Sequence, residues 1–99
     1  MPSNPLTKRL KEARKNSGLS QKELGIRAGI DEFSASPRIN QYETGKHVPN
    51  YSTLVQLAAV LKVPTPYFYC EDDRLARLIL AYGKLTTKER DRLIEKLGG

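Results

Sequence analysis

The stretch "SQKELGIRAGIDEFSASPRINQYETGK", Ser20 to Lys46, decides how this chain is read. It opens on a capping box. The Ser20 side chain suits the backbone N–H of Glu23, and the Glu23 side chain reaches back to Ser20. Leu24 and Ala28 then face inward, and Gly29 stops the helix. Gly25 lies mid-helix, where glycine costs about 0.5–1 kcal/mol against alanine. Close approach of a neighbouring helix is the expected compensation.

The residues after Gly29 are less regular. Ile39 and Tyr42 are three apart, share a helix face and can dock into a core. Arg38, Asn40 and Gln41 are then left outside, with Ser36 at the helix start. Pro37 is accepted in a first turn but not deep in a helix. The expected second helix therefore runs near 36–43, capped by Ser34 or Ser36, with "DEFS" as an insertion in the turn. Two short helices, the second presenting Arg, Asn and Gln, suit the major groove of DNA: Arg pairs with guanine, Asn or Gln with adenine.

The surrounding sequence reads as further helices. Asn4 caps the first and Pro5 begins it, with Leu6, Leu10 and Ala13 as its stripe and Gly18 as its stop. Asn50 caps a helix striped by Leu54, Leu57, Ala58 and Leu61. Thr65 and Pro66 start a short helix, with Thr65 as cap. Asp72 and Asp73 mark another N-terminus, followed by Leu75, Leu78, Ile79 and Tyr82. Thr86 and Glu89 form a second capping box before Leu93, Ile94 and Leu97. No strand pattern or repeat interrupts this order.

Composition narrows the partners. Over 99 residues, 17 Lys and Arg face 11 Asp and Glu, a net charge of +6. Residues 1–27 carry +5 of it, from Lys8, Arg9, Lys11, Arg14, Lys15, Lys22 and Arg27 against Glu12 and Glu23. That balance suggests a polyanionic partner or a solvated helix face. One cysteine, Cys70, and one histidine, His47, exclude an internal disulfide and a structural zinc site. A reducing cytoplasm is expected. No apolar run approaches the roughly 18–20 residues of a membrane span, and the N-terminus lacks a signal-type apolar segment. No catalytic set is visible, so neither an enzyme nor a cofactor is expected.

Two segments, "LSQKELGIRAGI" and "INQYETGKHVPNYSTLVQLAAVLKV", resemble the lambda-repressor and Cro-like helix-turn-helix regulators, the xenobiotic-response-element family. The resemblance spans about residues 6–70. The helix pattern itself gives an all-α fold; the resemblance implies a five-helix DNA-binding domain over 1–70, which leaves a two-helix extension over 71–99. It implies that Gln21 bonds a phosphate and braces the recognition helix, with Lys22 beside it. Ser36 and Pro37 fall at the first base-facing positions and Gln41 at a later one. Arg38 and Asn40 become flank or phosphate contacts, and Thr44 and Lys46 grip the backbone from the following loop. The family pattern leaves about four residues between the apolar residue after the turn and the recognition-helix isoleucine. Here Ile30 and Ile39 bracket "DEFSASPR".

Glu43 lies in a basic neighbourhood and is expected to pair with Arg14 or Arg27. The apolar residues of 71–99 exceed what one small core needs. They either pack back on their own domain or, as in the regulators the chain resembles, form the interface of a homodimer on a palindromic operator bound as double-stranded DNA. The alternative is an antitoxin-type module that uses them to bind a toxin-like protein and autoregulates its operon.

Overall fold

The computed structural model describes residues 4–99; the first three residues of the expected 1–70 domain lie outside the described residues. The described residues are all-helical: α1 (Pro5–Asn16), α2 (Gln21–Arg27), α3 (Glu32–Thr44), α4 (Tyr51–Leu61), a 3-10 turn (Thr65–Tyr69), α5 (Asp73–Lys84) and α6 (Thr87–Lys96).

Most ends are set by local chemistry. Asn4 accepts from the Leu6 N–H, and Asn50 accepts from the Thr53 N–H. Both capping boxes form in full, Ser20 with Glu23 and Thr86 with Glu89. The Ser20 N–H holds the Glu23 carboxyl below its ordinary pKa, and Thr86 does the same for Glu89. Asp72 caps α5 by accepting from the N–H groups of Arg74 and Leu75. Thr65 does not cap its helix: it is the first residue of the 3-10 turn, Pro64 occupies the cap position, and no side chain bonds there.

The core joins α1 through α5. Leu6, Leu10, Leu24, Ile39, Leu54, Leu57, Tyr67 and Phe68 are each at most 2% exposed. Tyr42, Cys70 and Ala76 belong to the same core, with Ala13, Ala28, Ala58 and Leu61. Tyr51, by contrast, stands exposed at the start of α4.

Arg9 is a buried cation. Its guanidinium donates to the carbonyls of Cys70 and Glu71 and to the Asp73 carboxylate, and it lies 5.7 Å from the Tyr67 ring centroid. The arginine thus satisfies carbonyls where the 3-10 turn runs into α5, and ties α5 to α1. Hydrogen bonds from Lys8 and then Arg9 hold the Asp73 carboxyl below its usual range.

α5 presents two sides. Ala76 is buried, and Ile79 and Leu80 pack against the core. A Cβ on Gly83 would stand 2.9 Å from Pro64 Cγ, so the bare glycine sets how closely α5 lies on the chain. This phase leaves Leu75 and Leu78 outside, each 48% exposed. α6 contributes no buried residue. It is joined to α5 by Arg90, which donates to the carbonyls of Tyr82 and Gly83 and lies over the Tyr82 ring at 4.9 Å.

Candidate nucleic-acid interface

The helices α2 and α3 make the most extensive pairing in the fold. Their crossing is at Gly25. A Cβ there would meet Ala35 Cβ at 2.7 Å, Ala35 Cα at 2.9 Å and the Ala35 carbonyl oxygen at 3.0 Å. The mid-helix glycine therefore answers a backbone-to-backbone approach, as its sequence position suggests.

That contact also corrects the start of α3. The helix begins at Glu32, and its cap is Asp31, whose carboxylate accepts from the Phe33 N–H at 3.0 Å. Neither Ser34 nor Ser36 caps it. "DEFS" is not a loop insertion: the turn from Ala28 to Asp31 is short, and the extra residues add a helical turn to the front of α3. Pro37 is consequently the sixth residue of the helix rather than a first-turn residue. Its missing N–H leaves the Phe33 carbonyl without its usual helical partner. Docking Ala35 at 0% exposure against Gly25 requires helix at residue 35. The tertiary contact overrides the local signal of the proline.

A bonded scaffold fixes the other end of α3. Arg14 of α1 donates from Nε to Glu43 Oε2 at 2.6 Å and from Nη2 to Glu43 Oε1 at 3.1 Å. It also donates from Nη1 to the Leu19 carbonyl. Of the two expected arginines, Arg14 is the partner. The hydrogen bond to Glu43 raises the Arg14 pKa above its ordinary value, against a smaller opposing effect of burial. Gln21, the first residue of α2, donates to both Asn40 Oδ1 at 3.3 Å and Glu43 Oε1 at 3.2 Å. Gln21 thus braces α3.

The inward line of α3 is Ala35, Ile39, Tyr42 and Glu43. On the opposite side, Pro37, Asn40, Gln41 and Thr44 follow at helical spacing. Pro37, Arg38, Asn40 and Thr44 are exposed, whereas Ser36 and Gln41 are half-buried. Arg38 turns toward the start of α4 and lines a groove with Asp31, Ser34, Ser52, Thr53 and Gln56. Thr44 is the last residue of α3 rather than a loop residue, and its hydroxyl donates to the Gln41 carbonyl. Lys46 and His47 are exposed in the loop beyond Gly45. Lys22 lies 3.8 Å from Glu32, between two exposed side chains.

Of the expected residues, Pro37, Asn40, Gln41 and Thr44 share the outer line of α3, whereas Ser36 is half-buried, Arg38 faces the groove beside α4, Gln21 and Lys22 lie on α2 and Lys46 lies in the following loop. Phe33 was missed by sequence reasoning. It is 89% exposed on the added turn, and its fourfold spacing to Pro37 becomes meaningful only once the helix is known to begin at Glu32.

Charge is redistributed relative to the sequence. Of the basic residues before position 28, Arg9 and Arg14 are consumed by internal partners, and Lys8 pairs with Asp73 at 2.9 Å. Lys11, Lys15, Lys22 and Arg27 remain exposed.

Two short crossed helices, the second braced from behind and polar in front, define a helix-turn-helix. The chain matches the family described as "Helix-turn-helix domain" over residues 7–72, and it belongs to that family. A solved structure described as the crystal structure of transcriptional regulator BswR is similar at 50% sequence identity and a TM-score of 0.85, covering 92% of this chain and 90% of that one. Both agree with the resemblance to lambda-repressor and Cro-like regulators. No curated protein matches. Among the described residues, no helix is long and apolar enough to cross a membrane.

Proposed function

We infer that this chain is a sequence-specific DNA-binding transcription regulator that inserts α3 into the major groove and represses by occluding its operator. The observation that carries this reading is the Arg14–Glu43–Gln21 scaffold, which holds a polar helix face outward while its own charges are satisfied inside. The likeness to a structure named as a transcriptional regulator supports it. In this reading Gln41 addresses a base edge, with Ser36 and Pro37 at the approach to it and Asn40 at its flank. Lys22, Arg38, Thr44 and Lys46 address the phosphates, while Gln21, whose amide donors go to Asn40 and Glu43, braces α3. Each neutralised phosphate contributes a fall of about 0.9 in log K per tenfold rise in salt.

The same reading places two copies on a palindromic site. Leu75, Leu78, Ile94 and Leu97 are 42–73% exposed in the single chain. A second copy covering these residues would bury them and set two α3 helices about one DNA turn, roughly 34–36 Å, apart.

Selection of bound sequences from a random DNA pool tests the proposal. A repeated, two-fold-related half-site is the expected outcome. Recovery of no preferred sequence by folded protein at moderate salt would overturn it.

A further inference from the structure

The outer line of α3 extends one turn beyond the residues given roles above. Phe33 stands four residues before Pro37, seven before Asn40, eight before Gln41 and eleven before Thr44. These spacings keep all five on one side of the helix, opposite Ala35, Ile39 and Tyr42. At 89% exposure, Phe33 makes little use of its ring within the fold. With Pro37 exposed one turn on, it forms an apolar edge at the tip of an otherwise polar face.

Two exposed acids stand beside it. Asp31 is engaged in capping the helix through the Phe33 N–H, and Lys22 offsets Glu32 in part from 3.8 Å. The backbone that carries Phe33 is held in place because Ala35, two residues on, is pressed against Gly25.

In helix-turn-helix docking, the N-terminal residues of the recognition helix reach the base edges. The apolar feature of the major groove is the C5-methyl group of thymine, with which phenylalanine makes its contact. We propose that Phe33, backed by Pro37, is a specificity-determining residue that packs on a thymine methyl in each half-site. The eight residues separating Phe33 from Gln41 span about 12 Å of helix. Lying along the groove, that span sets the methyl about two or three base pairs from the base addressed by Gln41. This assignment deepens the reading of α3 as the groove-entering helix and rests on it.

The test uses the full chain and its selected operator. Each thymine is replaced in turn by deoxyuridine, which removes only the methyl. For the wild type, one such replacement per half-site is expected to weaken binding about fourfold, the loss of one buried methyl. The Phe33→Ala variant is expected to bind the thymine operator at least fourfold more weakly and to be indifferent to that methyl. Phe33→Leu is expected to retain part of the methyl dependence. The side chain is exposed, so circular dichroism should show both variants folded. If Phe33→Ala keeps wild-type affinity and methyl dependence, the assignment is overturned while the reading of α3 stands. A changed sedimentation coefficient without loss of methyl dependence also overturns it, making Phe33 a self-association residue. If the wild type selects no sequence at all, the underlying reading fails instead.

Discussion

The guanidinium of Arg14 grips both carboxylate oxygens of Glu43, at 2.6 and 3.1 Å, joining α1 to the far end of α3. Their side chains are 14% and 3% exposed, so the pair is screened little by solvent. Removing one member strands the other. Glu43→Gln keeps the shape but leaves the Arg14 cation unbalanced, and a loss of about 3 kcal/mol in urea unfolding is expected. A loss below about 0.5 kcal/mol, the size seen for exposed pairs, would show that the bridge does not hold α3.

Short-range rules explain what the sequence made legible. The caps at Asn4, Ser20 and Thr86 each depend on residues within three positions, and all form. The start of α3 also has a local cap, Asp31, but its selection over Ser34 or Ser36 goes with Ala35 packing on Gly25, a contact between two elements that outweighs the local signal of Pro37. Arg9 is similar. Its burial depends on carbonyls more than sixty residues away, and no pattern around position 9 distinguishes it from a surface cation. The apolar stripe of α5 was visible, but its phase is set by Gly83 lying against Pro64. Leu75, Leu78 and Ile79 form one stripe in the sequence, but only Ile79 packs inward.

Gly25→Ala is expected to destabilise although alanine is the better helix former. The new Cβ would stand 2.7 Å from Ala35 Cβ and 2.9 Å from Ala35 Cα, and a backbone atom cannot move aside cheaply. Overpacking of this kind costs about 1–3 kcal/mol, more than the propensity gain. Adding Ala35→Gly removes the nearer clash but not the Cα or carbonyl contacts, so partial recovery is expected in thermal unfolding. Stabilisation by Gly25→Ala alone would contradict the geometry.

Tyr67 predicts an alkaline limit to stability. Its ring is fully buried, and its hydroxyl donates to Glu12 Oε1 at 3.2 Å. Burial, reinforced by the Glu12 charge, pushes its phenol up to about 12. A raised folded pKa means that the contribution is complete below the unfolded value of about 10 and is lost as pH climbs toward 12. Tyr67→Phe should remove that part of the alkaline decline. Urea midpoints of the two proteins across this window, with the phenolate absorbance followed in parallel, provide the check. Identical slopes would assign the decline elsewhere.

Gln41 and Lys46 separate base reading from phosphate binding. Gln41 lies on the outer side of α3, whereas Lys46 is in the exposed loop after it. Gln41→Ala is expected to change which sequences are preferred, at about 1–3 kcal/mol for the base it addresses. Lys46→Ala is expected to weaken all sites alike and to lower the salt slope by about 0.9. Equal weakening of every site by both variants would remove Gln41 from base reading.

The last expectation concerns the C-terminal helices. Leu78 is 48% exposed, on the side of α5 turned away from buried Ala76. Replacing it should not disturb the core, so Leu78→Glu separates folding from association. If a second copy covers this side, the variant should sediment as a monomer at concentrations where the wild type is dimeric, with an unchanged circular dichroism spectrum. Each half-site would then bind independently, and affinity for the full palindrome should fall far more than affinity for a single half-site. That contrast matters because a general loss of DNA binding would lower both together. A wild type that is monomeric at all concentrations and on its operator would leave these leucines to a different protein partner, and the two-fold reading would fail.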